Sequence, residues 1–189
     1  MDVTPHLQWH LEDLITPTMP AAEQLAAASL KAAVLEISHA PWPDWFNQWF
    51  VYLGPDLSPM QAYELSLRFT NDAEIRSLNA LYRHQDRPTD VLAFACLDLE
   101  TPLILETEEP LELGDIVISV ETAARQATQH QHSLSQELVW LASHGLLHLL
   151  GWDHPDQAQL DRMLAQQDQL LQQIGFVAMS SGTPSSSSG

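Results

Sequence analysis

One stretch of eleven residues, His144–His154, constrains the fold most strongly. Its sequence, HGLLHLLGWDH, places His144 and His148 four residues apart among leucines. Residues at this spacing lie on one face of an α-helix, with Cβ atoms about 5–6 Å apart. Gly151 can end that helix in the left-handed conformation, and the chain can then turn back on itself. The stretch therefore predicts a helix and a turn that gather the rings of His144, His148 and His154.

Three neutral imidazoles suit a divalent metal ion. With three protein ligands, tetrahedral zinc keeps one position open, as in catalytic sites, and water at that position ionises near neutral pH. Two histidines at helical spacing also occur by chance. Because a third histidine follows the helix-ending glycine, we predict one Zn²⁺ ion bound by His144, His148 and His154. The other histidines are predicted to be scattered core or surface residues: His6, His10, His39, His84, His130 and His132.

The residue after the first histidine limits the chemistry. Zinc peptidases with two helical histidines place a glutamate there as general base, whereas this chain has Gly145. Peptide hydrolysis by that mechanism is therefore disfavoured. Glu137 lies two turns before His144 on about the same helix face, and two interpretations stay open: it orients a metal ligand, or it is a plain surface glutamate.

Charge and composition exclude several classes of protein. The chain has 189 residues, with 25 acidic and 7 basic side chains and a formal net charge of −18. Because DNA and anionic membranes are polyanions, this charge argues against a protein that coats either of them through long-range attraction, although a local basic or metal-bearing site is still allowed. The single cysteine, Cys96, excludes a disulfide framework. With no bilayer-length apolar run and no targeting signal, we expect a soluble, cytoplasmic protein.

Hydrophobic periodicity predicts helices interleaved with short strands. Tyr63–Phe69 alternates apolar and polar residues, as a half-buried strand does, and Asn71 with Glu74 then starts a helix. Two more strands are predicted at Val91–Cys96 and Asp115–Val120. Further helices are predicted at Ala21–Ile37, Pro41–Phe50, Glu121–Gln131, Ser133–Leu150 and Asp156–Ile174. This order indicates an α/β (α+β) domain.

Three segments are predicted to lie outside the regular elements. Residues 1–20 contain three prolines without a clear period, and we expect a loose N-terminal arm. Residues 98–113 carry six acidic and no basic side chains, which favours a solvated acidic hairpin loop. Residues 177–189 are predicted to be a disordered Ser-rich tail. This leaves 21–176 as a single domain, in which the tryptophans of Pro41–Phe50 are predicted to line a buried helix face rather than a base-stacking platform.

Three motifs occur in a fixed order along the chain: LNALYRHQDRPTDVLAF from Leu78 to Phe94, GDIVIS from Gly114 to Ser119, and the histidine stretch. Together they resemble the YbeY family, the bacterial single-strand-specific endoribonucleases implicated in ribosomal RNA maturation, over a core of about 63–175. The chain departs from the family pattern at Ala93, at Ala95-Cys96 and at Ser143. None of these is a proposed ligand, so the departures concern the strand edge rather than the chemistry.

The resemblance implies a fold, a site and a function. For the fold we expect a small mixed four-stranded sheet flanked by five or six helices, with the metal site on a helix and the turn after it. The resemblance implies that His144, His148 and His154 bind zinc and that Arg83, with His144, serves catalysis. Thr89 and Asp90 are expected to brace the turn into a strand rather than to contact RNA.

The implied function is single-strand-specific, zinc-dependent cleavage in ribosomal RNA processing, chiefly small-subunit maturation, and in ribosome quality control. The expected partners are single-stranded RNA and the small ribosomal subunit or its proteins, with no DNA and no membrane. Two alternatives stay open: a zinc hydrolase of another substrate class, and a ribosome-assembly factor with a structural metal.

Phosphodiester chemistry independently favours an arginine. Cleavage builds negative charge on the phosphoryl oxygens, and the guanidinium of Arg83 can hold two of them at once. Five of the seven basic residues lie between positions 68 and 125: Arg68, Arg76, Arg83, Arg87 and Arg125. With the charge of the metal added, a positive cleft inside an acidic molecule is feasible. We expect weak non-specific RNA affinity, with docking to a ribosomal particle or protein supplying much of the targeting.

Overall fold

The fold is an α/β arrangement of four strands and six helices, taken from a computed structural model that describes residues 2–9, 21–58, 61–96 and 109–179. The strands are β1 (Asp2–Trp9), β2 (Ala62–Thr70), β3 (Val91–Ala95) and β4 (Leu111–Ser119). The helices are α1 (Ala21–Ser38), α2 (Trp42–Leu53), α3 (Asp72–Arg83), α4 (Val120–His130), α5 (Leu134–Leu149) and α6 (Gln157–Gln173). None of the helices in these ranges is long and apolar enough to cross a membrane.

The sheet is mixed, with the strand order β1-β2-β4-β3. Strands β1, β2 and β4 are mutually parallel, and β3 pairs antiparallel with β4. The expected mixed four-stranded sheet with five or six flanking helices is confirmed. The alternation predicted for β2 is present, since its odd-numbered residues from Tyr63 to Phe69 are buried. The predicted start of α3 is present as well, because the Asn71 side chain accepts a hydrogen bond from the Glu74 N–H.

The prediction of a loose arm is wrong for residues 2–9, which form β1. Three contacts hold this strand: its ladder with β2, the packing of buried Val3 into the core, and the stacking of Trp9 on Phe69 at a centroid distance of 4.2 Å. Pro5 is tolerated because β1 is an edge strand, where one side of the ladder needs no donor. Residues 2–9 therefore belong to the same sheet as β2, while 10–20 lie outside the described residues.

Two further boundaries differ from the prediction. Strand β4 begins at Leu111, inside the expected acidic loop, because Leu111 and Leu113 are buried on alternate positions. Residues 98–108 of that loop lie outside the described residues. At the C-terminus, the backbone N–H of Met179 donates to Asp168 Oδ1 at 2.6 Å, and the Val177 carbonyl accepts from Gln136 Nε2 at 2.9 Å. The first three residues of the predicted tail are therefore tied to the domain by hydrogen bonds, and 180–189 are outside the described residues.

Most of the core lies between the sheet and the helices α2, α5 and α6. Helix α2 buries its aromatic face, as predicted, with Trp42, Phe46, Trp49 and Phe50 all inaccessible to solvent. The indole N–H of Trp49 donates to the Leu170 carbonyl of α6 at 2.8 Å. Helix α5 contributes the largest set of buried residues, from Glu137 to Leu149. A much smaller cluster of Ile75, Leu92 and Val117 lies under α3.

Close packing against the sheet explains the glycine between the two helical histidines. A Cβ atom at Gly145 would lie 2.6 Å from Cγ2 of Ile116, in β4. Helix α5 can approach the sheet this closely only because position 145 carries no side chain. Gly145 thus serves the placement of the helix, rather than replacing a catalytic group.

Candidate metal centre and adjoining groove

The end of α5 and the turn after it bring the three predicted histidines together. Gly151 adopts φ +83, the left-handed conformation that the sequence predicts there. The Trp152 N–H donates to the Leu147 carbonyl at 3.0 Å, which folds the chain back over the last turn of α5. In the following turn the His154 N–H donates to Asp153 Oδ1 at 2.8 Å. These bonds hold His154 beside the helix that carries the other two rings.

The three rings present their nitrogens to one small volume. The Nε2 atoms of His144 and His148 are 3.1 Å apart, and ring nitrogens of all three histidines lie within 4.8 Å of one another. The ring of His154 lies 5.7 Å from that of His144 and 5.3 Å from that of His148, between centroids. All three rings are half-buried. This geometry fits a single metal ion with three nitrogen ligands, and the assignment of the ligands stays a prediction.

Burial keeps two of these rings neutral. It lowers the pKa of His148 to about 4, and the neighbouring His144 and His154 add to the effect. Burial also lowers the pKa of His144 below its ordinary value of 6.5. Since a neutral imidazole has one nitrogen lone pair, both rings are ready to bind a cation at neutral pH without first losing a proton.

Gln167 of α6 determines which nitrogen of His144 carries the proton. The Gln167 side-chain NH₂ donates to the Trp140 carbonyl at 3.3 Å, so its oxygen faces the His144 ring. That oxygen is 3.1 Å from His144 Nδ1 and therefore accepts the Nδ1 proton. The lone pair of His144 is then on Nε2, the atom that faces His148. Gln167 is fully buried, and sequence reasoning missed it because it lies in another helix.

Arg83 lies in a groove of about 460 Å³ rather than against the histidines. The groove is formed by the end of α3, the loop before β3, and α4; its lining residues are Asn79, Arg83, Gln85, Arg87, Pro88, Thr89, Asp90, Thr122 and Gln126. The charge of Asp90, at one side of this groove, acts to raise the pKa of His144, although burial lowers that pKa overall.

The arginines predicted to form a positive cleft differ in their availability. Arg68, Arg76 and Arg125 form ion pairs with Glu74, Asp86 and Asp72 respectively. Arg87 donates two hydrogen bonds to the side-chain oxygen of Gln85. Arg83 is exposed, and its guanidinium has no ion pair or hydrogen bond within the described part of the chain. Of the five arginines between positions 68 and 125, Arg83 is thus the one that an incoming phosphate can take without displacing a protein partner.

The bracing role predicted for Thr89 and Asp90 is confirmed. One carboxylate oxygen of Asp90 accepts from the Thr89 hydroxyl at 3.0 Å and from the Val91 N–H at 2.8 Å. The other accepts from Gln126 Nε2 at 2.8 Å. Asp90 therefore fastens the start of β3 to α4, and it closes one end of the groove.

A second cluster was missed from the sequence. His130 and His132 lie beside Glu137, with one potential ligand atom from each within 4.8 Å of the others. The prediction of a surface glutamate is wrong, since Glu137 is 2% exposed, and its contacts are with these two histidines rather than with a ring at the end of α5. Burial raises the pKa of Glu137 to about 7, with His132 lowering it and Asp90 raising it. The available signal was a pair of histidines one residue apart just before a helix whose first turn carries an acid.

The chain is similar in sequence to known proteins. A family model described as "Endoribonuclease YbeY" matches residues 28–175. A protein from Acaryochloris marina called Endoribonuclease YbeY is 56% identical over 172 residues, which are 90% of this chain and 94% of that protein. A Synechocystis sp. protein of the same name is 54% identical over 151 residues, covering 79% of this chain and 84% of that protein. A Thermotoga maritima protein solved in solution is 19% identical, with a TM-score of 0.42 over 98% of this chain and 100% of that chain.

Proposed function

Because the chain belongs to the endoribonuclease YbeY family, and is on that ground an endoribonuclease, we propose that it cleaves single-stranded ribosomal RNA with the help of one zinc ion. The ion is held by His144, His148 and His154. The proposed role is small-subunit ribosomal RNA maturation and ribosome quality control in the cytoplasm. The observation that carries the proposal is the convergence of three ring nitrogens on one small volume. A groove that holds the unpaired Arg83 adds to it.

The donor set fits zinc. Three imidazole nitrogens, two of them on rings kept neutral by burial, match the preference of zinc for nitrogen ligands and a tetrahedral site with one open position. When bound there, zinc supplies Lewis-acid charge beside the scissile phosphate. The part of Gln167 is to hold the proton of His144 on Nδ1, so that Nε2 stays free to ligate.

Arg83 has the role of binding the scissile phosphate. Its guanidinium reaches two phosphoryl oxygens in a forked geometry and stabilises the negative charge that builds on them. Arg87, held by Gln85 in the same groove, lies in position to contact a neighbouring phosphate. Asp90 holds the loop that lines the groove against α4 through its bonds to Val91 and Gln126.

The same charges support weak binding to RNA in general. The chain carries a net charge of −18, and three of its seven basic side chains are already neutralised by ion pairs. Long-range attraction for a polyanion is therefore small. We propose that contacts with the small ribosomal subunit or its proteins bring the enzyme to its substrate, and that neither DNA nor a membrane is a partner. Tight, salt-sensitive filter binding of random RNA would contradict this part of the proposal.

The test is an assay of purified protein on single-stranded ribosomal RNA, with zinc content measured on the same samples. We expect His148→Ala to lose the ion of the triad and the cleavage, while His39→Ala, which removes an exposed histidine of the α1–α2 connection, keeps both. Cleavage by a His148→Ala protein that holds no ion at the triad would overturn the role of the metal. The end groups of the products distinguish attack by water from attack by the ribose 2′-OH.

The two alternative functions are outcomes of matched assays. A zinc hydrolase of another class would cleave peptides, amides or small esters in a chelator-sensitive manner and leave RNA intact. A ribosome-assembly factor with a structural metal would support ribosomal RNA processing equally well with Arg83→Ala. Ribosomal RNA processing by Arg83→Ala thus distinguishes an enzyme whose groove takes part in cleavage from an assembly factor whose groove does not.

A further inference from the structure

The cluster of His130, His132 and Glu137 lies at the junction of α4 and α5, at the opposite end of α5 from the histidine triad. Helix α4 ends at His130, and Gln131 takes the left-handed conformation, with φ +60. Ser133 then caps α5 by accepting the N–H of Gln136 at 3.1 Å. This tight turn folds the two histidines over the first turn of α5, where Glu137 is located.

The buried atoms of this cluster have no hydrogen-bond partner. Glu137 Oε2 and His132 Nε2 are both inaccessible, and neither makes a hydrogen bond within the described part of the chain. The two atoms are only 2.9 Å apart, yet they do not meet as a hydrogen-bonded pair.

The other nitrogen of His132 identifies which form of the ring is present. Nδ1 of His132 is 3.2 Å from the Ser133 carbonyl oxygen, which can only accept, so Nδ1 carries the proton. In the neutral ring, Nε2 is then left with a lone pair that faces an oxygen of Glu137. Two acceptors this close to each other need a proton or a metal cation between them.

His130 completes a set of three ligands. Its Nδ1 is 3.8 Å from the same oxygen of Glu137. In a regular tetrahedral site with bonds of about 2.0–2.2 Å, ligand atoms lie about 3.3–3.6 Å apart, and the observed 2.9 and 3.8 Å lie on either side of that range. The corresponding separation in the triad, 3.1 Å between His144 and His148, is similar.

We propose that His130, His132 and Glu137 form a second zinc site, separate from the triad, which ties the end of α4 to the start of α5. Its two nitrogens and one carboxylate are a ligand set that zinc accepts, and a fourth position is left for water. His130 is 57% exposed, so the ion can enter from solvent on that side. The ion stabilises the α4–α5 junction and supplies the positive charge that the buried Glu137 carboxylate otherwise lacks.

The test is a titration of metal-free protein with Zn²⁺, followed by calorimetry and by elemental analysis after dialysis. Wild type is expected to bind two ions per chain. His148→Ala and Glu137→Gln are each expected to bind one, and the double variant none. His39→Ala, the control for loss of an exposed histidine, is expected to bind two. Binding of no ion by His148→Ala, or of two by Glu137→Gln, would overturn the second site.

If Glu137→Gln disturbs folding, a second variant, His130→Ala, tests the site. His130→Ala changes an exposed side chain, and its folding can be checked by circular dichroism. We expect it to weaken the second binding event at least tenfold and to leave the first unchanged. An unchanged second event would refute the site. In His148→Ala, zinc is expected to raise Tm through the second site alone, so failure of that shift counts against this site and not against the proposed ribonuclease function.

Discussion

Helices α5 and α3 both carry side chains of the proposed function, but the molecule fixes the two helices in different ways. Helix α5 is packed into the main core along nearly its whole length, with ten of its residues buried. Helix α3 rests on a cluster of only three residues and buries only Ile75 and Asn79 of its own. Its first turn is held instead by a polar junction, in which Asp72 accepts hydrogen bonds from Ser119 at 2.5 Å and from Thr122 at 2.7 Å, and pairs with Arg125.

The difference matches the two chemical tasks. Metal ligands must stay within a few tenths of an ångström of their positions, and a helix locked in the core provides that. A phosphate-binding arginine must meet a flexible polymer, and Arg83 at the exposed end of α3 is free to adjust. The comparison makes changes on α3 and α5 separable: those at Arg83 should affect activity alone, whereas those on α5 should affect stability or metal binding.

The largest expected effect is the fall in the rate of RNA cleavage when Arg83 of α3 is replaced. Arg83→Ala should lower the rate of RNA cleavage by about 10²–10³, the cost of removing one donor to a developing oxyanion. Zinc content and Tm should not change, because the side chain is exposed and unpaired. Arg76→Ala, which removes an exposed arginine paired with Asp86, is the control and should retain activity. A large fall in Tm for Arg83→Ala would break the proposed separation of roles.

The next effect is on the packing of α5. Gly145→Ala should destabilise the protein by about 1–3 kcal/mol, because the new Cβ overlaps Ile116 in a core that has little room to adjust. Chemical denaturation measures the change. Adding Ile116→Ala removes the overlapping atoms, so the two substitutions should be non-additive, with Gly145→Ala costing less in that background. Simple additivity would mean that the close approach of α5 to β4 does not limit the fold.

A smaller effect concerns metal affinity. Gln167→Leu should weaken binding at the triad by about 10–100-fold, since the partner that holds the His144 proton on Nδ1 is lost. Gln167→Glu keeps an oxygen acceptor and should recover much of the affinity. The measurement is a competitive zinc titration with a chromophoric chelator. Equal affinity in wild type and Gln167→Leu would show that core packing alone orients the ring.

The smallest effect tests the polar junction of α3. Partial burial acts to raise the pKa of Asp72, but hydrogen bonds from Ser119, Thr122 and Arg125, with the charge of Arg125, hold the pKa below the ordinary 3.8. The ionised form therefore stabilises the fold above pH 3.8, and this contribution is lost as the pH falls through the lowered pKa. Asp72→Asn should lower the free energy of unfolding by about 1 kcal/mol at neutral pH and leave it unchanged at a pH below the lowered pKa of Asp72.

Hydrogen exchange provides the readout for that variant. Amides of α3 should exchange faster in Asp72→Asn, while those of α5 should not change, since α5 does not depend on the junction. Uniform acceleration in both helices would show that they open as one unit and would contradict the comparison.

Local patterns predicted the triad, and long-range contacts account for what was missed. The spacing of His144, His148 and Gly151 is set within one helix and its turn, so the sequence alone predicts their convergence. Gln167 contacts His144 from 23 positions away, and no local pattern marks it. The cluster at Glu137 depends on the left-handed turn at Gln131, a residue type that seldom signals such a turn.

The same reasoning explains the errors in the fold. Strand β1 carries Pro5 and finds its partner in β2, far along the chain, so neither its composition nor its neighbours indicated a strand. The start of β4 was hidden because acidic residues surround Leu111 and Leu113 in the sequence. In contrast, the aromatic face of α2 and the cap at Asn71 follow from residues three or four positions apart, and both were predicted correctly.

The parallel pairing of β1 with β2 has a consequence for synthesis of the protein. Val3 is aligned with Tyr63 across this ladder, and α1 and α2 form the connection between the two strands. Parallel neighbours cannot close as a hairpin, so β1 leaves the ribosome with its hydrogen-bonding edge unmatched until the whole crossover and β2 have been translated. Sheet assembly in this chain is therefore a late, non-local event.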